Sequence, residues 1–322
     1  MNAITWLPLT TLALCALTAC NGDGVETTTS TGPTTTTSGG AGGSSSSATT
    51  GATTGAGGNV GDTVTLTMTT FTVPPGGEVY RCQNFANPFG GADVDVSAFE
   101  SHMTGGSHHL LLFYRDGAVD GVDSKCDGLE FAPTPYSTQI PDDSLEFPAG
   151  VAAKIPSSKG FRLQSHYLNT SDKPLEAHVE LTLHLAKPGT VTDHAGVLFV
   201  PEYHFAILPN STQVVNHTCN LPFDMNLLKA ASHMHKHGTH FDAKIGDEKV
   251  FETDTWDEPA SALFSPAKAV KGGKELDFSC TFVNNSANTL TFGESAETNE
   301  MCIFVASFYP VQADGDITVG CQ

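Results

Sequence analysis

The chemistry available to this chain is concentrated in its histidines, all thirteen of which lie between His102 and His240. Three groups stand out: the adjacent pair His108 and His109 in GGSHHLLLFY, the isolated His166 in LQSHYLNTSD, and His233, His235, His237 and His240 in SHMHKHGTHF. Neutral imidazole is a ligand for zinc, copper, iron and nickel. In a strand, H-x-H puts two imidazoles on one face with Cα atoms about 7 Å apart, so both can meet one metal with little distortion. His237 shares that face and can complete a three-histidine zinc site, so this spacing leaves the metal undecided. The adjacent pair poses the opposite problem. Strict alternation sends His108 and His109 to opposite faces, and joint action requires a backbone distortion at the head of the run. His178, His184, His194, His204 and His217 read as ordinary hydrogen-bonded residues. Met301, beside Cys302, reads as a buried core methionine unless the histidines recruit it.

The elements that must position these residues are strands. TVTLTMTTFTV alternates with period two, and HLLLFY, HVELTLHL, GVLFV and CIFVASFY continue the pattern. Turn signals separate them: PPGG, NPFGG, LPNS, KGGK, VNNSAN and ADGD. No long segment carries a helical stripe. The expectation is an all-β chain of two tandem antiparallel β-sandwich, jelly-roll-like domains, 61–190 and 191–322, divided in KPGTVTDH. Ligand sites favour such domain interfaces.

The first sixty residues hold little fold information. Residues 1–20 read as a secretory signal with an apolar stretch from Leu7 to Leu17, and Leu17 to Cys20 resembles a bacterial lipobox with Cys20 as the lipidated residue. No Lys or Arg precedes Cys20, a departure from the usual basic start. Residues 21–60 are almost wholly Thr, Ser, Gly and Ala, a flexible tether with a reach of roughly 35 Å. The chain is thus expected to be exported and lipid-anchored to the cell envelope, at the periplasmic face or cell surface, with the outer membrane favoured. The formal charge of −20 argues against nucleic acid and anionic lipid as partners. Beyond Cys15 and Cys20, six cysteines remain: Cys82, Cys126, Cys219, Cys280, Cys302 and Cys321. An even number in an exported domain suggests three disulfides, with connectivity open.

Taken in order, HHLLLF, LQSHY, HMHKHG and GESAETNEMC, with GGEVYRCQNF before them and FSPAKAVKGGKELDFSC before the last, resemble the copper type II ascorbate-dependent monooxygenases. That is the family of peptidylglycine α-hydroxylating monooxygenase and dopamine β-monooxygenase, and the likeness extends over most of Thr63 to Cys321. It implies two coppers per chain, one on each domain. An electron-storing copper would be held by His108, His109 and His166, and the oxygen- and substrate-reacting copper by His233, His235 and Met301. The resemblance assigns no ligand role to His237, His240 or His102. It implies that the two metals stand apart across a water-filled cleft. It also implies the disulfides Cys82 with Cys126, Cys219 with Cys321 and Cys280 with Cys302. The ligand types agree with the metal: imidazole suits both copper oxidation states, and a thioether favours Cu(I) over zinc.

The implied reaction is hydroxylation of a C–H bond of a small organic substrate with O2, the electrons coming singly from ascorbate or a similar donor, in a monomeric enzyme. The peptide-amidating branch carries an Arg two residues before the H-x-H, and an Asn and a Tyr two and four residues after the Met; here those positions are Ala231, Ile303 and Val305. A buried substrate carboxylate would lack partners, so peptide amidation is not expected, and a more apolar or neutral substrate is. The alternative from another class is a surface-tethered copper-binding or copper-delivery lipoprotein without oxygenase activity. A metal-free adhesive sandwich would leave both ligand sets unexplained.

Overall fold

Where the sequence alternates, the chain forms strands whose apolar residues turn inward: in Thr63–Thr67, Val64 and Leu66 are buried while the threonines between them are not. The computed structural model describes residues 62–126, 128, 130, 132–312 and 317–321. The expected signal, lipobox and tether, with Cys15 and Cys20, lie outside the described residues. Among the described residues every regular element is a strand, and the chain is all-β.

Two sets of sheets follow one another along the chain. In the first half, one sheet runs Thr63–Thr67, Val179–Leu185, Val94–Met103, Val151–Ile155, Asp193–His194, with Asp142–Glu146 also on Val94–Met103. Its companion runs Gly121–Asp123, Glu78–Phe85, Lys159–Leu168, Ser107–Asp116, Tyr136–Thr138. In the second half, one sheet runs Ala262–Val270, Met225–His233, Cys302–Tyr309, Gly196–Glu202, Thr318–Val319, and the other Ser211–Asn220, Glu275–Asn284, Gly238–Ile245, Glu248–Thr253. Among the described residues no sheet pairs a strand of Thr63–His194 with one of Gly196–Val319. Asp193–His194 pairs with Val151 and Ala152, so the last strand of the first half lies just past the boundary expected at 190.

Each half has its own core, one around Phe99, Phe161 and Tyr167 and the other around Phe241, Phe278 and Phe304, all fully buried. Burying each such side chain stabilises the fold by about 1.5–3 kcal/mol. Three disulfides close the chain: Cys82–Cys126, Cys219–Cys321 and Cys280–Cys302. The last joins the two sheets of the second half immediately beside Met301.

Two strands position the site because they are buried on both faces. In Ser107–Asp116, Leu110, Leu112 and Tyr114 enter the first core. Their neighbours His109, Leu111 and Phe113 face the other way, onto a cavity. Met225–His233 does the same in the second half: Leu227 and Ala230 lie in its core, while Lys229, Ala231 and His233 face that cavity. A strand buried on both faces reads as a continuous apolar run, and HLLLFY has that text.

Candidate metal centre

The adjacent histidines are placed by a β-bulge. His109 pairs with His166 across the antiparallel ladder, but the next partner of the Lys159–Leu168 strand, Tyr167, pairs with Ser107. His108 is therefore the extra residue, without a partner in that ladder. A bulge adds one residue and turns the local backbone, which removes the strict alternation. Both histidines are buried, at 2% and 6% exposure, and their ring centroids are 5.4 Å apart. The turn that feeds the bulge contains Gly106 at φ 90°, a conformation that favours glycine. His166 completes the group, 5.1 Å from His108 and 5.0 Å from His109 between ring centroids.

His233 is the last residue of its strand, and His235 lies beyond it in a turn rather than in the strand that H-x-H suggested. The turn is held by Glu300, whose carboxylate is fully buried. It accepts hydrogen bonds from the backbone amides of His235 (2.9 Å), His237 (2.7 Å) and Met301 (3.3 Å). Burial pushes this carboxyl up to about 8, against the pull of the three amides. The same group thus fixes the turn and the residue that starts the next strand. Met301 is 5% exposed, belongs to neither core and lines the cavity with His233. The two rings His233 and His235 are 5.2 Å apart.

Ring orientations are set by neighbouring polar groups, as is usual around metal-binding histidines. His166 Nε2 lies 2.8 Å from Glu78 Oε1, His233 Nδ1 2.6 Å from Gln139 Oε1, and His235 Nδ1 3.2 Å from the Asn299 carbonyl. Each acceptor holds a ring N–H and turns the other nitrogen inward. Burial opposes ionisation of Glu78, yet bonds from His166, the Ala296 amide and the Ser295 hydroxyl hold its carboxyl at about 2. Tyr80 stacks on His166 at 3.8 Å. Gln139 also donates to the Ser232 carbonyl, so it clasps the second half from the first.

These imidazoles are neutral. Burial first, and then neighbouring imidazoles, hold His108, His109 and His233 well below the ordinary histidine range. Burial lowers His166 against the pull of Glu78, and lowers His235 to about 4. Both ring nitrogens of His108, Nδ1 of His166 and Nε2 of His235 are buried without a hydrogen-bond partner. Buried polar atoms normally have partners, so a convergent set of orphaned lone pairs fits a cation. The donors are borderline nitrogens with a thioether at one edge, which suits copper.

The separation implied by the family resemblance is not what the structure shows. His108 turns from the bulge toward the second half, and its ring centroid is 4.8 Å from His233 and 5.4 Å from His235. His109 is 5.3 Å from His233. The five imidazoles therefore form one cluster, and His108 has a ligand atom within 4.8 Å of those of both His109 and His166 on one side and His233 and His235 on the other. The physical reason is that two sheet faces meet directly here. Trp256 covers His108 at 5.6 Å.

The remaining histidines behave differently. His102, His178, His184, His194, His204, His217 and His240 each sit against an Asp or Glu. His237, half-buried in the turn, gives its backbone amide to Glu300 and stands outside the cluster. Sequence reasoning missed Glu78, Tyr80, Gln139, Glu300 and Trp256. Glu78, Tyr80 and Glu300 sit inside stretches already singled out, GGEVYRCQNF and GESAETNEMC; Gln139 and Trp256 carry no local signal.

Residues 194–317 match the family model described as copper type II ascorbate-dependent monooxygenase, C-terminal domain. That stretch is therefore similar to the C-terminal domain of a family of copper- and ascorbate-dependent oxidoreductases. Among solved structures, the chain is similar to "Crystal Structure of the STIV MCP", at 10% identity, TM-score 0.35, covering 79% of this chain and 98% of that one. It is also similar to the major capsid protein P2 from bacteriophage PM2, at 7% identity, TM-score 0.29, covering 79% and 99%. Scores this low bear on neither fold nor function.

Proposed function

We propose that the protein hydroxylates a C–H bond of a small organic molecule with O2, using ascorbate or a similar one-electron donor and two coppers per chain. The observation that carries this reading is that His108, His109 and His166 draw together, as do His233 and His235, with Met301 on the wall of the same interdomain cavity as His233. Copper, when bound, would supply one-electron redox chemistry and the activation of oxygen. The rest falls to the chain. His108, His109 and His166 would hold the electron-storing metal, and His233, His235 and Met301 the one that faces substrate. Glu78, Gln139 and the Asn299 carbonyl aim three of the rings. The cavity brings substrate against His233 and Met301. In the same proposal residues 1–20 export the chain and Cys20 anchors a monomer to the cell envelope.

The test uses the copper-loaded, detergent-solubilised chain. Two coppers per chain and ascorbate-dependent O2 uptake that yields hydroxylated product from a substrate library are expected. Tight copper binding with no hydroxylated product from any compound would instead favour a copper carrier. Loss of membrane association in Cys20→Ser tests the anchor.

A further inference from the structure

We infer that the cavity beside the histidine cluster selects a neutral, largely apolar molecule and excludes ionic ones. This rests on the oxygenase reading for its meaning as a substrate site, though not for its physical argument. The cavity has a volume of about 370 Å³ and lies between the two sheet faces. Leu111, Phe113, Phe199, Ala231, Ile303 and Val305 dominate its walls. An apolar cavity of roughly 150 Å³ holds benzene, so this one has room for a ring bearing a second ring or a chain.

Charge decides the class. Apart from the imidazoles, the ionisable side chains among the described lining residues are Lys229 and Glu130, and both are already paired. Lys229 Nζ lies 2.6 Å from Asp143 Oδ2, with the two side chains only 8% and 11% exposed. Glu130 meets Arg162 at 2.9 Å and Arg115 at 3.2 Å. In the copper-free chain, an ion entering the cavity would lose its hydration and find no free counter-charge among the described lining residues, unless it broke a buried pair. A carboxylate would have to displace Asp143 from Lys229, and an ammonium would have to displace Lys229 from Asp143. Uncharged hydroxyls at Ser137, Thr138 and Ser307 leave room for a neutral polar group. Lys229, Ala231 and His233 alternate along one strand face, so the paired charge lies two positions from Ala231 and four from the histidine.

The experiment is calorimetric binding to the full chain, first copper-free and then copper-loaded under nitrogen, where no turnover occurs. Three probes of similar shape are used: indole, indolepropionate and tryptamine. In the copper-free chain indole is expected to bind at least tenfold more tightly than either ion; the copper-loaded chain then shows how much of that selectivity against the anion a bound metal offsets. Val305→Phe and Ala231→Leu, which fill the cavity, should each weaken indole at least tenfold with the far-ultraviolet circular dichroism unchanged. Asp143→Asn, which frees the Lys229 charge while keeping a hydrogen-bonding side chain, should improve indolepropionate relative to indole at least fivefold. Equal or tighter binding of either ion by the copper-free chain, no binding of indole, or indifference to both cavity-filling variants would overturn the inference. So would an unchanged selectivity ratio in Asp143→Asn. A chain that binds indole yet hydroxylates nothing keeps this ligand class and loses the oxygenase reading. One that hydroxylates only charged compounds does the reverse.

Discussion

The trio His108, His109 and His166 lies inside a single sheet, on two paired strands, whereas His233, His235 and Met301 come from a strand end, a turn and the residue before the next strand. The first is positioned by backbone: one extra residue in one ladder turns an adjacent pair to the same side. The second is positioned by a side chain, because Glu300 gathers the amides of His235, His237 and Met301 around one carboxylate. A sheet-borne group should therefore keep its three rings gathered when a single polar neighbour is lost, even where ring orientation and metal affinity suffer. A group assembled across a turn should depend on its staple. The two meet at His108, which belongs to the first by sequence and lies against the second in space.

The sharpest way to break this division is at that shared residue. Under the copper reading, His108→Ala should weaken copper at both trios by more than about 100-fold, beyond what loss of an outer hydrogen-bond partner costs. His109→Ala should affect the first alone. Copper titration with electron paramagnetic resonance distinguishes them, and an intact second site in His108→Ala would show that the shared position has no functional consequence. Glu300→Ala comes next. It leaves two buried amides, those of His235 and Met301, unpaired at about 1–3 kcal/mol each, and the part-buried amide of His237 besides, so a total loss of at least about 2 kcal/mol is expected in urea unfolding. Copper should fall from two per chain to one, with the first trio retained.

How much of this was legible beforehand depends on the kind of interaction. HHLLLFY predicted a strand, and its alternation placed His109, Leu111 and Phe113 together, because a pleated chain carries that information in each residue. The need for a distortion at His108 was also readable. Its form was not, since the register of a bulge is decided by the partner strand. Glu300 stands in polar loop text beside Met301 and reads locally as a solvated carboxylate; only the fold closes three amides around it. The contact between the two trios was the least legible, because no periodicity within either sandwich encodes how two sheet faces dock. The seven carboxylate-paired histidines follow what an excess of acidic residues makes probable for any surface imidazole.

Acid tests the cluster as a whole. The folded values of its imidazoles lie below the ordinary 6.5, so as pH falls the unfolded chain takes up protons first. The contribution of these imidazoles to the stability of the copper-free chain should therefore be full above pH about 6.5 and decline below it, whereas Glu300, raised to about 8, contributes in the opposite sense as pH rises from about 4.5 to 8. For His235, held at about 4, the loss should approach about 3 kcal/mol by pH 4. Comparing urea unfolding of the chain with His235→Ala isolates this contribution from that of the carboxylates. An identical pH slope in the two would mean that the ring is not buried neutral.

The finest distinction lies in the groups that aim the rings. Glu78 orients His166 with an ionised carboxylate and also accepts from Ser295 and Ala296 of the other half. Gln139 orients His233 with a neutral amide oxygen. Hydrogen bonds to charged groups are about twice as strong as neutral ones. Glu78→Gln should thus lower copper affinity at the first trio toward the upper end of the 10- to 100-fold range typical of such partners, and Gln139→Ala should lower it at the second by about 10-fold. Each effect should stay at its own trio. If Gln139→Ala also weakens the first, the clasp it forms with the Ser232 carbonyl matters more than ring orientation, and the two trios are held at their contact by the docking of the halves.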